Sequence, residues 1–450
     1  MNRVALIGEN SIEYIEKLID IWNSGSCAVL IDWCIPIQIA IKMMQEADVH
    51  ICYIENRFFD KVPVELPPSI IFIPFEKIDN FAKYLPESVY IKFKPNYGES
   101  EAVVLYSSGT TGKSKGIILS HFAINTNADA IIDYMKLNDR DCFYIAKPLS
   151  HSSTLTGELL VALKTFTTLI IAPTIVPPRF ILQNIEKFDV SIICLSPNLL
   201  QMFVKEYSAE KYEFRKLRTI YVSGSILNDK IYREAHSALE NIEIYNVYGL
   251  SECGPRVTAQ RFDCCKSNSV GKPIKDVEVI IVDSDGNPVK QSEKGIIHVK
   301  TQGLFNGYLS GGYKLKSLFF NWLNTGDIGY FDKNGELNIV DRIDDVIIIN
   351  SHKIYPSNVE NAILANSKIE CCVVSKIELS NREYLSCIYS GKKENITALR
   401  HKLFQCLISY EIPRYWMNCE NIPSTTNGKY IKSEIKKLFE KMNSSEENIV

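Results

Sequence analysis

Residues 106–121 read Tyr106-Ser107-Ser108-Gly109-Thr110-Thr111-Gly112-Lys113-Ser114-Lys115-Gly116-Ile117-Ile118-Leu119-Ser120-His121. Ahead of them, Ala102 to Tyr106 has the make-up of a buried strand, and a helical pattern starts at His121. Between strand and helix lies a run of glycines and small hydroxylated side chains with two lysines. Such a segment lets backbone N–H groups and hydroxyls wrap a phosphate, while the lysines add positive charge. A flexible linker of similar composition has no need to be framed by a buried strand and a helix. The Walker A pattern demands a glycine at position 107, ahead of Gly112-Lys113-Ser114, and the residue there is Ser107. The stretch is expected to be a phosphate-binding loop of another kind.

Working outward, strands and helices alternate on both sides of this loop. Ser11 to Trp22, Ile37 to Ala47, His121 to Met135, Ile181 to Phe188, Asn198 to Tyr207 and Asp229 to Ala238 carry helical spacing. Ser26 to Asp32, Val49 to Ile54, Thr167 to Ala172, Ser191 to Leu195, Thr219 to Ser223 and Glu243 to Val247 read as short buried strands. That rhythm predicts an α/β architecture with mostly parallel sheets and flanking helices. After about residue 270, strands at Val277 to Val282, Gly295 to Lys300 and Leu337 to Val340 are separated by turns such as Asp285-Gly286-Asn287-Pro288. These predict an antiparallel β unit. The last stretch reads as a small α+β unit, with helices near Ile396 to Ser409 and Ile431 to Met442. The expected division is a large N-terminal domain, 1–341, and a small mobile C-terminal domain, 342–450.

Composition narrows the function. Lys and Arg number 50 against 53 Asp and Glu, a net charge of −3, with no long basic run, so a nucleic-acid partner is not expected. No apolar run approaches the ~20 residues of a membrane span. The opening MNRVALIGENS lacks a cleavage-type site, and the 13 cysteines follow no ligand or disulfide spacing. The expectation is a cytoplasmic protein with reduced thiols.

Further motifs follow the loop in order. They are Pro148-Leu149-Ser150-His151, Ser223-Gly224-Ser225-Ile226-Leu227, Tyr245-Asn246-Val247-Tyr248-Gly249-Leu250-Ser251-Glu252, Thr325-Gly326-Asp327, Asp341-Arg342-Ile343-Asp344-Asp345 and Pro423-Ser424-Thr425-Thr426-Asn427-Gly428-Lys429. With Ser108-Gly109-Thr110-Thr111-Gly112-Lys113-Ser114-Lys115-Gly116, the set closely resembles the adenylate-forming superfamily, the AMP-dependent synthetases and ligases. That superfamily takes in acyl- and aryl-CoA synthetases, adenylation domains of nonribosomal peptide synthetases, and luciferases. The resemblance runs from Val4 to about Lys432 and implies roles residue by residue. Ser108, Gly109, Thr110, Thr111, Gly112 and Lys115 would hold phosphate. His151 would line the acid pocket. Gly224 and Ser225 would pack on adenine, with Tyr248 and Gly249 beside it. Ser251 would hold the α-phosphate and Glu252 would bind Mg²⁺, a hard cation suited to carboxylate oxygen. Asp327 and Arg342 would take the ribose, Asp344 would be the hinge, and Lys429 would bridge the attacking carboxylate and the α-phosphate.

The implied reaction is activation of a carboxylic acid by ATP to an acyl-adenylate, then transfer to the thiol of CoA or a carrier-protein phosphopantetheine. The sequence also departs from the pattern. Ser114 stands where proline is usual and Asp341 where glycine is common. Asn350 and Ser351 replace glycines that face the thiol tunnel, and Ile348 the usual lysine. Side chains there are expected to narrow or reshape the tunnel, so that a carrier-protein pantetheine or another nucleophile is a better acceptor than free CoA. The pocket segment Ser150-His151-Ser152-Ser153-Thr154 lacks the carboxylate that pairs an α-amino group, which favours an aryl or aliphatic acid. The competing readings are an amino-acid-activating domain that loads a carrier protein and a non-catalytic adenylate-binding protein.

Overall fold

The computed structural model describes residues 2–63, 69–78, 81–108, 114–210, 212–260, 269–310, 318–319, 321–350, 352–379, 382–423 and 430–444. Five sheets are formed among them. In the first, the parallel strands Cys27–Ile31, Arg3–Ile7, Val49–Glu55 and Ile71–Phe75 adjoin Glu101–Ser108. Every residue of Cys27–Ile31 is buried, the mark of a parallel strand covered on both faces. Its alternate side chains enter different cores: Ala28 and Leu30 on one face, Cys27, Val29 and Ile31 on the other.

The second sheet is centred on the parallel strands Glu243–Tyr248, Thr219–Val222, Ile192–Leu195, Cys142–Ile145 and Thr168–Ile171, in that order. Phe143 and Ile145 share one core with Ala28 and Leu30 of the first sheet, whereas Cys142 and Tyr144 face the helices of the outer side. The shared core also takes the apolar faces of the helices Ile12–Asn23 and His121–Met135. Both helices begin at a serine cap: Ser11 Oγ accepts from the Tyr14 N–H at 3.0 Å and Ser120 Oγ from the Ala123 N–H at 3.1 Å.

The antiparallel unit follows as expected, built on Val277–Val282, Gly295–Thr301, Trp322–Phe331 and Leu337–Arg342. Beyond it come a hairpin, Ile347–Ile349 with His352–Ile354, and a sheet of Ile369–Leu379, Arg382–Gly391 and Tyr415–Asn418. Their apolar clusters draw only on residue 347 onward, while the other three clusters end at Leu337.

Two local expectations are corrected. The loop at 109–113 does not pass from a strand to a helix. It joins two antiparallel strands, Glu101–Ser108 and Ser114–Ser120, in register from Ser108 against Ser114 to Glu101 against Ser120. Ile117 and Leu119 are buried and Gly116 lies close to Leu309, so the short run after the loop is a strand before the helix begins. The helix expected from Ile396 to Ser409 ends at Leu403. There the backbone tightens, Gln405 donating to Lys402 O and Cys406 to Leu403 O.

Candidate functional site

Gly224 and Ser225 follow the carboxyl end of Thr219–Val222, and Ser251 and Glu252 that of Glu243–Tyr248, where open α/β sheets present their ligand crevices. Register pairs Val222 with Asn246 on neighbouring strands. Two residues further along each strand lie Gly224 and Tyr248. Gly224 has φ +105° and nothing within 4 Å of where a side chain would project, an exposed backbone face open to a flat group. Ser225 is exposed beside it.

Tyr248 does more than offer a ring. Its hydroxyl donates to Asp327 Oδ2 at 2.6 Å, and Arg342 Nε lies 3.2 Å from Asp327 Oδ1. Arg342 also donates from Nη2 to Thr325 O at 3.0 Å. Burial pushes the Asp327 carboxyl above its ordinary value, while Arg342 and the Tyr248 hydroxyl pull it back. The Asp327 N–H is held by Thr325 Oγ1 at 3.0 Å, so the carboxylate is fixed from both its own backbone and its partners.

Glu252 sits in the short helical turn Ser251–Cys253. Tyr308 donates to Glu252 Oε1 at 2.8 Å, and Lys115 Nζ stands 5.5 Å from the centre of the Tyr308 ring. Tyr308 therefore ties the lysine at the end of the phosphate-loop hairpin to the carboxylate. Ser251 Oγ meets Ser152 Oγ at 2.8 Å, joining this turn to the segment after His151. His151 Nε2 lies 3.6 Å from Asp32 Oδ2 and Ser150 Oγ donates to the same oxygen at 3.4 Å. Asp32 is well shielded from water; the histidine and the Cys34 backbone N–H outweigh that burial and hold its carboxyl below the ordinary range. The sequence shows Asp32 only as an acid ending a strand. Tyr308 carries no signal of its own, since its partners lie 56 and 193 positions away in sequence.

Gly249, next to Tyr248, is required by the packing of the chain. A side chain there would collide with the backbone carbonyl of Pro255, 1.8 Å away, so glycine lets the chain fold back on itself. The backbone of Ser108 ends its strand, and the phosphate-loop residues Gly109, Thr110, Thr111 and Gly112 lie outside the described residues, as does Lys429. Pro423 O accepts from the Ile431 N–H at 3.0 Å, closing the base of the segment that carries Lys429.

Asp344 is exposed in the turn Ile343–Asp345, immediately after the strand that carries Arg342. Asp341, where glycine is common, is buried. Its Oδ1 accepts from the Arg342 N–H at 2.9 Å and its Oδ2 from the Ser357 N–H at 3.0 Å, at the start of the helix Pro356–Asn366. One carboxylate thus grips both sides of the expected hinge. Asp341→Gly should lower stability by roughly 1–3 kcal/mol and speed exchange of the Ser357 amide hydrogen at least about tenfold. Unchanged exchange would refute the grip. Asn350 has φ +49°, a left-handed conformation that asparagine tolerates better than most residues and that suits a position where glycine is usual.

Glu360, on the same helix, accepts from the Val374 N–H at 2.8 Å. Burial pushes its carboxyl up to about 8 against that hydrogen bond, with Asp341 and Asp345 adding in the same direction. Because the folded value exceeds the unfolded one, the contribution to stability is intact below about pH 4 and is lost as pH rises through about 8. Glu360→Gln should match the parent near pH 4 and be more stable at pH 9 by roughly 1–3 kcal/mol. Denaturant titrations at both pH values check it, and equal stability at pH 9 would count against the assignment.

Among the described residues no group of three or more His, Cys, Asp or Glu side chains could hold a metal. A single carboxylate such as Glu252 fits an ion that is shared with substrate phosphates and keeps several waters. Nor is any helix there long and apolar enough to cross a membrane.

Residues 1–309 match the model of the AMP-binding enzyme family. The chain belongs to that family. It is 25% identical to the fatty acid–[acyl-carrier-protein] ligase ScoC of Streptomyces coeruleorubidus, over 97% of this chain and 87% of that protein. It is 26% identical to the 2-succinylbenzoate–CoA ligase of Bacillus cytotoxicus, over 97% and 89%. Its fold is that of ATP-bound MatB from Rhodopseudomonas palustris, with TM-score 0.85 at 20% identity, covering 98% of this chain and 89% of that one. It is likewise that of o-succinylbenzoate CoA synthetase from Bacillus subtilis in complex with ATP and magnesium ion, with TM-score 0.82 at 21% identity, covering 97% and 89%.

Proposed function

We propose that the protein activates an aryl or aliphatic carboxylic acid with ATP and passes the acyl group to a pantetheine thiol, of CoA or of a carrier protein. The observation that carries this reading is the Tyr248–Asp327–Arg342 cluster beside the open backbone of Gly224. A buried carboxylate with one neighbour on each oxygen and further lone pairs suits a vicinal diol, and the uncluttered glycine suits a flat base. Together they fit a nucleoside. Glu252 lies on the phosphate side with Lys115 behind Tyr308. Mg²⁺ held there would neutralise charge on the phosphates.

In the first step the acid's carboxylate oxygen bonds to the α-phosphorus as the bond to the β-phosphate oxygen breaks, and pyrophosphate leaves. Asp327 and Arg342 fix the ribose, Ser251 orients the α-phosphate, and Lys429 answers the charge that grows there. His151, oriented by Asp32, borders the acid. In the second step a thiolate bonds to the acyl carbon and AMP leaves with its electron pair. Residues 342–450 turn about Asp344 between the steps, as a unit distinct from 1–341. The names of the relatives support both acceptors. The side chain at Asn350 favours the carrier protein.

Acid-dependent ATP–pyrophosphate exchange over aryl, short-chain, long-chain and amino acids tests the reading. Exchange with aryl or aliphatic acids is expected. Best exchange with an α-amino acid would replace it by the amino-acid-activating reading. No exchange from folded protein that binds ATP would favour the adenylate-binding one.

A further inference from the structure

The segment after His151 changes its winding. Between the helical turns Ser152–Thr154 and Val161–Thr165, residues Leu155–Leu160 form a π-helical turn. Such turns are rare and frequently accompany functional sites. This one carries Glu158, which is fully buried and lies 3.3 Å from Lys147 Nζ. Lys147 follows the strand Cys142–Ile145 and also donates to Ser223 Oγ at 3.3 Å, beside Gly224. Arg256, four residues beyond Glu252, is 2% exposed, and its guanidinium packs on Gly157, where a side chain would stand 3.0 Å from Nη2. The cluster thus lies behind both the Ser223-Gly224-Ser225 loop and the Ser251–Glu252 turn, which Ser152 links to the same helical segment.

Two features of the cluster call for a ligand. Its charges do not balance: two cations, Lys147 and Arg256, share one carboxylate, and a buried unmatched charge is expensive. Its polar atoms are also poorly satisfied. Arg256 Nε and Thr156 Oγ1 lack a hydrogen bond among the described residues, and Glu158 is held by its ion-pair contact with Lys147 rather than by a well-formed hydrogen bond. Leaving such a buried atom unpaired is costly, and every one in a native fold asks for an explanation.

We infer that this cluster is the far end of the acid pocket and binds a second carboxylate on the substrate, so that the favoured acids are dicarboxylic. The inference rests on the ligase reading above. A second carboxylate supplies the missing negative charge and accepts from the Arg256 guanidinium. The same surplus of positive charge repels an α-ammonium group, and Glu158, the carboxylate an amine would need, is engaged by Lys147.

The test compares matched acids, benzoate with the phthalate isomers and hexanoate with adipate, by pyrophosphate exchange and by protection against thermal unfolding in the presence of AMP. At least one diacid should exceed its matched monoacid about tenfold in kcat/KM. In Arg256→Gln, which leaves Lys147 and Glu158 as a neutral pair, that ratio should fall towards one. Arg256→Lys, which keeps the charge, should recover much of it. Monoacids equal to or better than diacids with the parent protein would overturn the inference, whether or not either variant folds. So would a ratio that persists in folded Arg256→Gln. If no acid supports exchange, the ligase reading fails and protection decides for the cluster. Diacid-selective protection that disappears in Arg256→Gln would uphold the second-carboxylate site, and its absence would overturn it.

Discussion

Lys429→Ala should reduce acid-dependent pyrophosphate exchange by about 10²–10³-fold while leaving the folded state intact. The lysine belongs to a segment whose stem is closed by the Pro423 to Ile431 hydrogen bond and which leads into the helix Lys432–Ser444. That helix is anchored by Ile435 and Phe439 against Ile377 and Ile388, so a change at 429 leaves its packing untouched. The proposed role is electrostatic and confined to the first step. Transfer of the acyl group from a synthetic acyl-adenylate to a pantetheine thiol should therefore fall far less than exchange does. If both half-reactions fell together, Lys429 would be structural or shared between steps. If exchange persisted within about tenfold of the parent, another residue would carry the charge.

Asp327→Ala should weaken ATP binding by about 30- to 150-fold, since truncating the buried partner of a charged pair costs roughly 2–3 kcal/mol at the lower end of what such pairs show. The loss has two sources. The diol loses its acceptor, and the Tyr248 hydroxyl and Arg342 Nε lose theirs. Asp327→Asn keeps one oxygen acceptor and should retain part of the affinity. Tyr248→Phe removes only the positioning hydroxyl and should cost less than either. Calorimetric titration with a non-hydrolysable ATP analogue measures all three. Equal affinity in Asp327→Ala and the parent would sink the nucleoside assignment of this cluster.

The alternation of helix and strand was legible because each central strand is covered on both faces and so reads as an unbroken apolar run. The five residues Cys27–Ile31 are the plainest case. The hairpin after the phosphate loop was not, because seven residues with a glycine and two serines carry too little periodicity to separate a strand from a helix approach. The helix from Ile396 was over-extended because Phe404 and Ile408 prolong its apolar pattern although both are exposed. At the site, short local motifs marked Tyr248, Asp327 and Arg342, and the fold brings them together. Partners supplied from far along the chain stayed hidden. Asp32 reaches His151 across 119 positions and Tyr308 reaches Glu252 across 56, and nothing at Lys147, Glu158 or Arg256 announces that they meet.

The carboxylate of Asp341 also sets a preference between conformations. On the proposed cycle, turning residues 342–450 away from the large unit parts the Ser357 N–H from Asp341 Oδ2. If that hydrogen bond to a charged acceptor is worth about 1.5 kcal/mol, the described arrangement is enriched about tenfold over one that lacks it. An acceptor that binds only the turned arrangement would see its apparent affinity fall by the same factor. A docked carrier protein, with a whole surface to spend on the turned form, can overcome that bias more readily than a small free thiol. A residue that touches neither substrate would then help to decide which acceptor the enzyme serves.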